Sequence, residues 1–189
     1  MTFGRSYSPA LAVSVSTLLE KTLTQLGIFV VFAAPGYAVA ALTMDRLGRK
    51  TIQAMGFAMM AVSFALLALI PNLEKMVTPF LIIYGFSFFF TEFGPNATTF
   101  VYPSEIFPVR VRTTGHGIAA AVGKLGGFVG VFVFPYLLAW RGLLGAESAA
   151  AIASALGLLV TLTMLPETKG KSLEEIEAET GTPAEKVAA

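Results

Sequence analysis

The sequence predicts an all-α membrane protein of about five transmembrane helices, on three observations. Hydrophobic residues make up 55% and charged residues 13% of the 189 positions, against about 45–50% and about 25% in an ordinary soluble domain. Five stretches are long enough for a bilayer core, which takes roughly 20 mostly apolar residues. The basic residues are concentrated in the connections on one side of those stretches.

The spans are expected at 26–44, 51–70, 76–102, 113–140 and 148–166, together a transmembrane bundle over 26–166. The first, second and fifth carry no Asp, Glu, Lys or Arg. The third carries Glu92, and the fourth carries Lys124 with His116. Five such stretches leave no polar face for water. Residues 1–25 form an N-terminal segment, and its first ten residues hold no apolar core of a signal peptide.

Orientation follows from the basic residues. One set of connections and the tail hold Arg46, Arg49, Lys50, Arg110, Arg112, Lys169, Lys171 and Lys186, whereas the other holds Arg5, Lys21, Lys75 and Arg141. The richer set belongs in the cytoplasm. The N-terminus is then outside and the C-terminus inside, in a plasma or inner membrane. In the tail, 167–189, Ser172 and Glu175 form an S-x-x-E capping box, so a short helix near 172–180 is expected.

Several chemistries are excluded. The chain has no cysteine and a single histidine, His116, which removes disulfides, thiolate nucleophiles and Cys/His metal sites. The 13 basic and 12 acidic residues nearly cancel, so no bulk field points to nucleic acid. His116 has no serine and acid in a triad-like pattern. Neither an enzyme nor a cofactor is expected.

Charges inside lipid cost about 2.5–3.5 kcal/mol each on insertion scales, which makes Glu92 and Lys124 informative. Counted from the ends of their spans at about 1.5 Å per residue, both lie roughly 15–17 Å deep. Opposite charges at one depth suggest a shared polar cavity or a direct pair, and a static structural pair is the plain alternative. Asn96 is four residues beyond Glu92 on the same helix face. Between them Gly94-Pro95 breaks the backbone ladder, which membranes tolerate only where protein or a watery cavity covers it. His116 lies toward the cytoplasmic edge and is a second proton-carrying candidate. Gly115, Ala119, Gly123, Gly127 and Gly130 form a small-residue stripe suited to close helix packing. Phe86, Phe88, Phe89, Phe90 and Phe93 read as lipid-facing or core packing.

Three cytoplasmic segments, DRLGRK at 45–50, PSEIFPVRVR at 103–112 and PETKGKSLEEIE at 166–177, together resemble loops of major facilitator transporters of the sugar-porter type. Their order is similar to spans eight to twelve of that twelve-helix fold. The resemblance implies that the chain forms most of the C-terminal six-helix bundle, with the N-terminal half and the seventh helix lying outside it. PGY at 35–37, IQAMGF at 52–57, FGPNATTF at 93–100 and TGHGIAAAVGK at 114–124 are similar to segments of phosphate:proton symporters. That resemblance implies substrate binding at Asn96 and Lys124, while Glu92 and His116 are proton-coupling candidates from their own chemistry and position in the spans. The family commonly has asparagine where this chain has Glu92. It also implies that Asp45, Arg49, Glu105, Arg110, Arg112 and Glu167 form a cytoplasmic gate, although basic loops fix topology in any case.

The expected function is the C-terminal part of a proton-coupled secondary transporter importing phosphate. Its partners would be the small solute, protons, the bilayer and the missing half. A sugar or organic-acid transporter of the same fold is the alternative, and a membrane scaffold is the alternative of another class.

Overall fold

The computed structural model describes residues 9–180, and every regular element among them is helical. Helix α1, Pro9–Ile28, passes through a wide π turn, Phe29–Ala33, into α2, Ala34–Leu47. Pro35 lies in the first turn of α2; it has no N–H to give the preceding turn, and the π turn absorbs that loss. The first helix is therefore longer than the span expected at 26–44. Its apolar part, Thr17–Leu47, has 31 residues, or about 46 Å against a hydrocarbon core of about 30 Å. The expected N-terminal segment 1–25 is thus helical from Pro9 and continuous with the first span, and residues 1–8 lie outside the described residues.

Gly48 ends α2 with φ +97°, a conformation open to glycine, and α3, Arg49–Leu69, starts at the next residue. Helix α4, Val77–Thr91, continues through a second π turn, Glu92–Asn96, into α5, Ala97–Ile106. Within that turn Gly94 has the non-helical angles φ −94° and ψ −106°.

The expected fourth and fifth spans are joined in α6, Arg112–Met164, whose helical geometry breaks at Arg141 and Gly142. In place of the expected connection at 141–147 there is this two-residue break. A Cβ on Gly145 would stand 2.8 Å from the Leu137 carbonyl oxygen, whereas eight residues of straight helix span about 12 Å. The chain therefore turns back sharply, and 112–140 and 143–164 are two arms. The second arm packs on α3, with the Phe57 ring against Gly157 and Gln53 bonded to Thr161. The first arm is exposed along most of its length. Of the glycines in its small-residue stripe, Gly115 meets the Phe107 ring, and a Cβ on Gly123, Gly127 or Gly130 would touch nothing within 4 Å. The close packing expected for that stripe has no partner among the described residues.

A tight core of Ala40, Met44, Ile52, Phe93 and Ala97 joins α2, α3 and the break before α5. Elsewhere large apolar side chains face outward, such as Leu42 at 79% and Val131 at 75% exposure. Water would not tolerate that surface, but lipid does. Helix α7, Leu173–Thr180, is capped reciprocally by Ser172 and Glu175 and buries Ile176.

Candidate functional site

The break at Gly94 lets α5 turn one face toward the first arm of α6. A cavity of about 400 Å³ opens there, lined on one side by Pro95, Asn96, Thr99 and Pro103 and on the other by His116, Ala120, Gly123 and Lys124. Three of the sequence-derived candidates, Asn96, His116 and Lys124, thus share one space. Glu92 is half-buried and is not part of the lining, but its carboxylate accepts a hydrogen bond from the Asn96 amide one turn on. Among the described residues Glu92 makes no ion pair with Lys124, and Asn96 is the residue that both bonds Glu92 and shares the cavity with Lys124. The ammonium of Lys124, the imidazole of His116 and the amide of Asn96 are all groups that can donate to an oxyanion.

A second cluster closes the charged end of the bundle. Arg49 begins α3 and gives Nη2 and Nε to Glu105 Oε1 at 2.8 and 2.9 Å. Its Nη1 pairs with Asp45, one turn back, at 2.9 Å. The other Glu105 oxygen accepts from the Thr168 hydroxyl. Glu167 Oε1 takes three backbone N–H groups, from Arg49 at 3.0 Å and from Thr168 and Lys169 at 3.1 Å. A carboxylate there also meets the positive end of the α3 dipole. The Lys169 ammonium donates to the Arg46 carbonyl at the close of α2, and the Tyr102 hydroxyl donates to the Pro166 carbonyl.

Four of the six expected gate residues, Asp45, Arg49, Glu105 and Glu167, therefore form one network. Arg112 makes no ion pair with it among the described residues and donates Nε to the Phe107 carbonyl within its own turn. Arg110 is exposed in that same turn. Sequence reasoning missed Thr168 and Tyr102, neither of which is charged. It also missed a buried polar chain through Thr98, Gln53 and Thr161, whose one visible signal was an amide in an otherwise apolar span.

A bundle of long apolar helices, interrupted beside a cavity that Asn96, His116 and Lys124 line and tied at one end by charges, is the architecture of an integral membrane protein of the transporter class. A family profile described as "Sugar (and other) transporter" matches residues 6–179. The chain belongs to that family, within the major facilitator fold. It is 49% identical over 150 residues to "Probable inorganic phosphate transporter 1-6" of Arabidopsis thaliana, covering 77% of this chain and 29% of that protein. It is 44% identical over 161 residues to "Probable inorganic phosphate transporter 1-3" of Oryza sativa subsp. japonica, covering 77% and 30%. "Low affinity inorganic phosphate transporter 1" of Petunia hybrida is 43% identical over 162 residues, with the same coverage of 77% and 30%. The chain spans about three-tenths of the length of these curated relatives.

Proposed function

We propose that this chain forms one wall of the substrate path in a secondary transporter that imports inorganic phosphate together with protons. The observation that carries the reading is the convergence of Asn96, His116 and Lys124 on one cavity beside the broken helix. Lys124 supplies a point charge for a phosphate oxygen, and Asn96 supplies an amide donor. Glu92 shares the Asn96 amide, so an arriving anion competes with the carboxylate for that donor. Protonation of Glu92 releases the donor and removes a repelling charge, and this links anion binding to proton uptake. His116 is a second group on the same wall that can carry a proton. No covalent step is involved, so no catalytic residue is assigned.

The protein lies in the plasma or inner membrane with its N-terminus outside. The Arg49–Glu105–Glu167 cluster is then on the cytoplasmic side, where it latches the inner end while the outer end is open. Access alternates when a second helical bundle moves against this one, and that bundle is the N-terminal half of the transporter. The deciding experiment is uptake of labelled phosphate into proteoliposomes under an imposed pH gradient, using the transporter polypeptide that carries this chain. Saturable uptake that collapses with the gradient is expected. No phosphate uptake, with normal insertion, would overturn the reading. A second reading is favoured by the Glu92 carboxylate itself, which suits the hydroxyls of a neutral sugar. Sugar uptake unaffected by excess phosphate would select it.

A further inference from the structure

Gln53 lies outside the cavity, yet its side chain joins three elements. Its amide nitrogen donates to Thr161 Oγ1 on α6 at 3.1 Å, and its amide oxygen accepts from Thr98 Oγ1 on α5 at 2.7 Å. Thr98 and Thr161 are fully buried. The Thr161 hydroxyl spends its proton on the Gly157 carbonyl at 2.7 Å, so it can only accept from Gln53. That fixes which end of the amide faces which threonine. The result is a directional chain, Thr98 to Gln53 to Thr161 to Gly157.

Glu105 and Tyr102 tie the far end of α5 to Arg49 and Pro166, and Gln53 ties the end beside the break. The non-helical Gly94 interrupts the ladder from α4, so α4 alone does not set how α5 is rolled about its axis. Thr98 has one hydroxyl proton and two further acceptors inside the break, the carbonyls of Gly94 at 3.0 Å and Pro95 at 3.3 Å. Without Gln53 that proton falls back on its own helix. The cavity face of α5 is Pro95, Asn96, Thr99 and Pro103, while Thr98 is held against α3. Roll therefore decides where Asn96 points. Gly56, one turn beyond Gln53, seats Gly94 and Pro95 where any Cβ would collide. It holds the break close to α3 but leaves rotation about the axis free.

We infer that Gln53 is a positioning residue which, through the Thr98 hydroxyl, sets the roll of α5 and aims Asn96 into the cavity. Its effect on transport rests on the phosphate reading above, whereas its effect on helix roll does not. Hydrogen bonds between membrane helices are of modest strength, so the loss is expected to be several-fold rather than complete.

The chain contains no cysteine, so Thr99→Cys places a single thiol on the cavity face of α5. Its rate of modification by a water-soluble maleimide is read in the transporter polypeptide that carries this chain, held in lipid nanodiscs, against the same polypeptide with Thr99 intact. Gln53→Ala and Thr98→Val should each change that rate by about threefold to tenfold, and together by no more than the larger single effect. Thr98→Ser, which keeps the hydroxyl, should return the parent rate. In the transporter that carries this chain, Gln53→Ala should raise the KM for inorganic phosphate by a similar factor and leave maximal uptake nearly unchanged. An unchanged thiol rate in Gln53→Ala, or effects that multiply in the double variant, would overturn the inference. A shifted thiol rate with an unchanged KM supports the positioning role and removes phosphate from the cavity. Should Gln53→Ala fail to fold, Thr98→Val and Thr98→Ser decide alone, because equal rates in those two overturn the inference.

Discussion

The Glu167 carboxylate lies directly over Gly48 and accepts the backbone N–H of Arg49 at 3.0 Å. It thereby caps the first turn of α3 from 118 residues away in sequence. The segment after the last span is thus fastened to the hinge between the first two.

Gly48→Ala tests that fastening. Gly48 has φ +97°, and a Cβ there would stand 2.6 Å from Glu167 Oε2. Backbone strain of this kind costs about 1–3 kcal/mol, and the carboxylate must also move. A fall of several degrees in the thermal unfolding midpoint is expected, measured in nanodiscs. An unchanged midpoint would show that the Glu167 cap is dispensable.

Arg49 and Glu105 are each 16% exposed at the side chain, so their pair is largely removed from water. Hydrogen bonds to charged groups contribute about 1.5–3 kcal/mol. Reversing Glu105 to lysine places two cations together and should drive the full transporter toward its inward-open form. The readout is labelling, from the cytoplasmic side, of a cysteine introduced at Thr99. Normal topology with unchanged labelling would leave these charges only their role in orientation.

Lys124→Ala and Asn96→Ala both remove a donor from the cavity wall, but a full charge is worth more than an amide there. Phosphate KM should rise by more than about tenfold for Lys124→Ala and by less for Asn96→Ala. The order is checked by counterflow of labelled phosphate, which needs no proton gradient. Equal affinities in parent and Lys124→Ala would move the anion site elsewhere.

Glu92→Gln keeps a hydrogen-bonding group beside Asn96 while removing the titrating one. Uptake should lose its dependence on pH and its ability to accumulate phosphate, with exchange at equal concentrations preserved. Full proton-driven accumulation in this variant would make Glu92 a structural partner of Asn96.

The readable part of the candidate site was its chemistry. Glu92 and Lys124 were conspicuous because charges are expensive in hydrocarbon, and Gly94-Pro95 because it must break a ladder. The partners were not readable. Equal depth on successive helices is compatible with direct pairing, but depth carries no information on rotation, and the structure gives the Glu92 carboxylate to Asn96. Arg112 belonged to the same basic loop as Arg110, yet its guanidinium donates to the Phe107 carbonyl at 3.1 Å, a backbone partner that counting charges along the loop does not reveal.

The sequence by itself determined that this chain is helical and membrane-embedded, and which polar residues sit inside the spans. Those properties are local, since hydropathy is summed along the chain and a Pro or a charge acts within one turn. The reversal between the last two spans was also expected, but only the tertiary structure decided that two residues, Arg141 and Gly142, suffice for it, and only it decided the Gln53 chain from α5 to α6 and the Glu167 cap on α3. Each depends on close contact between residues far apart in sequence. Angstrom-scale distances set by how helices roll against one another leave no periodic trace in the residues that make them.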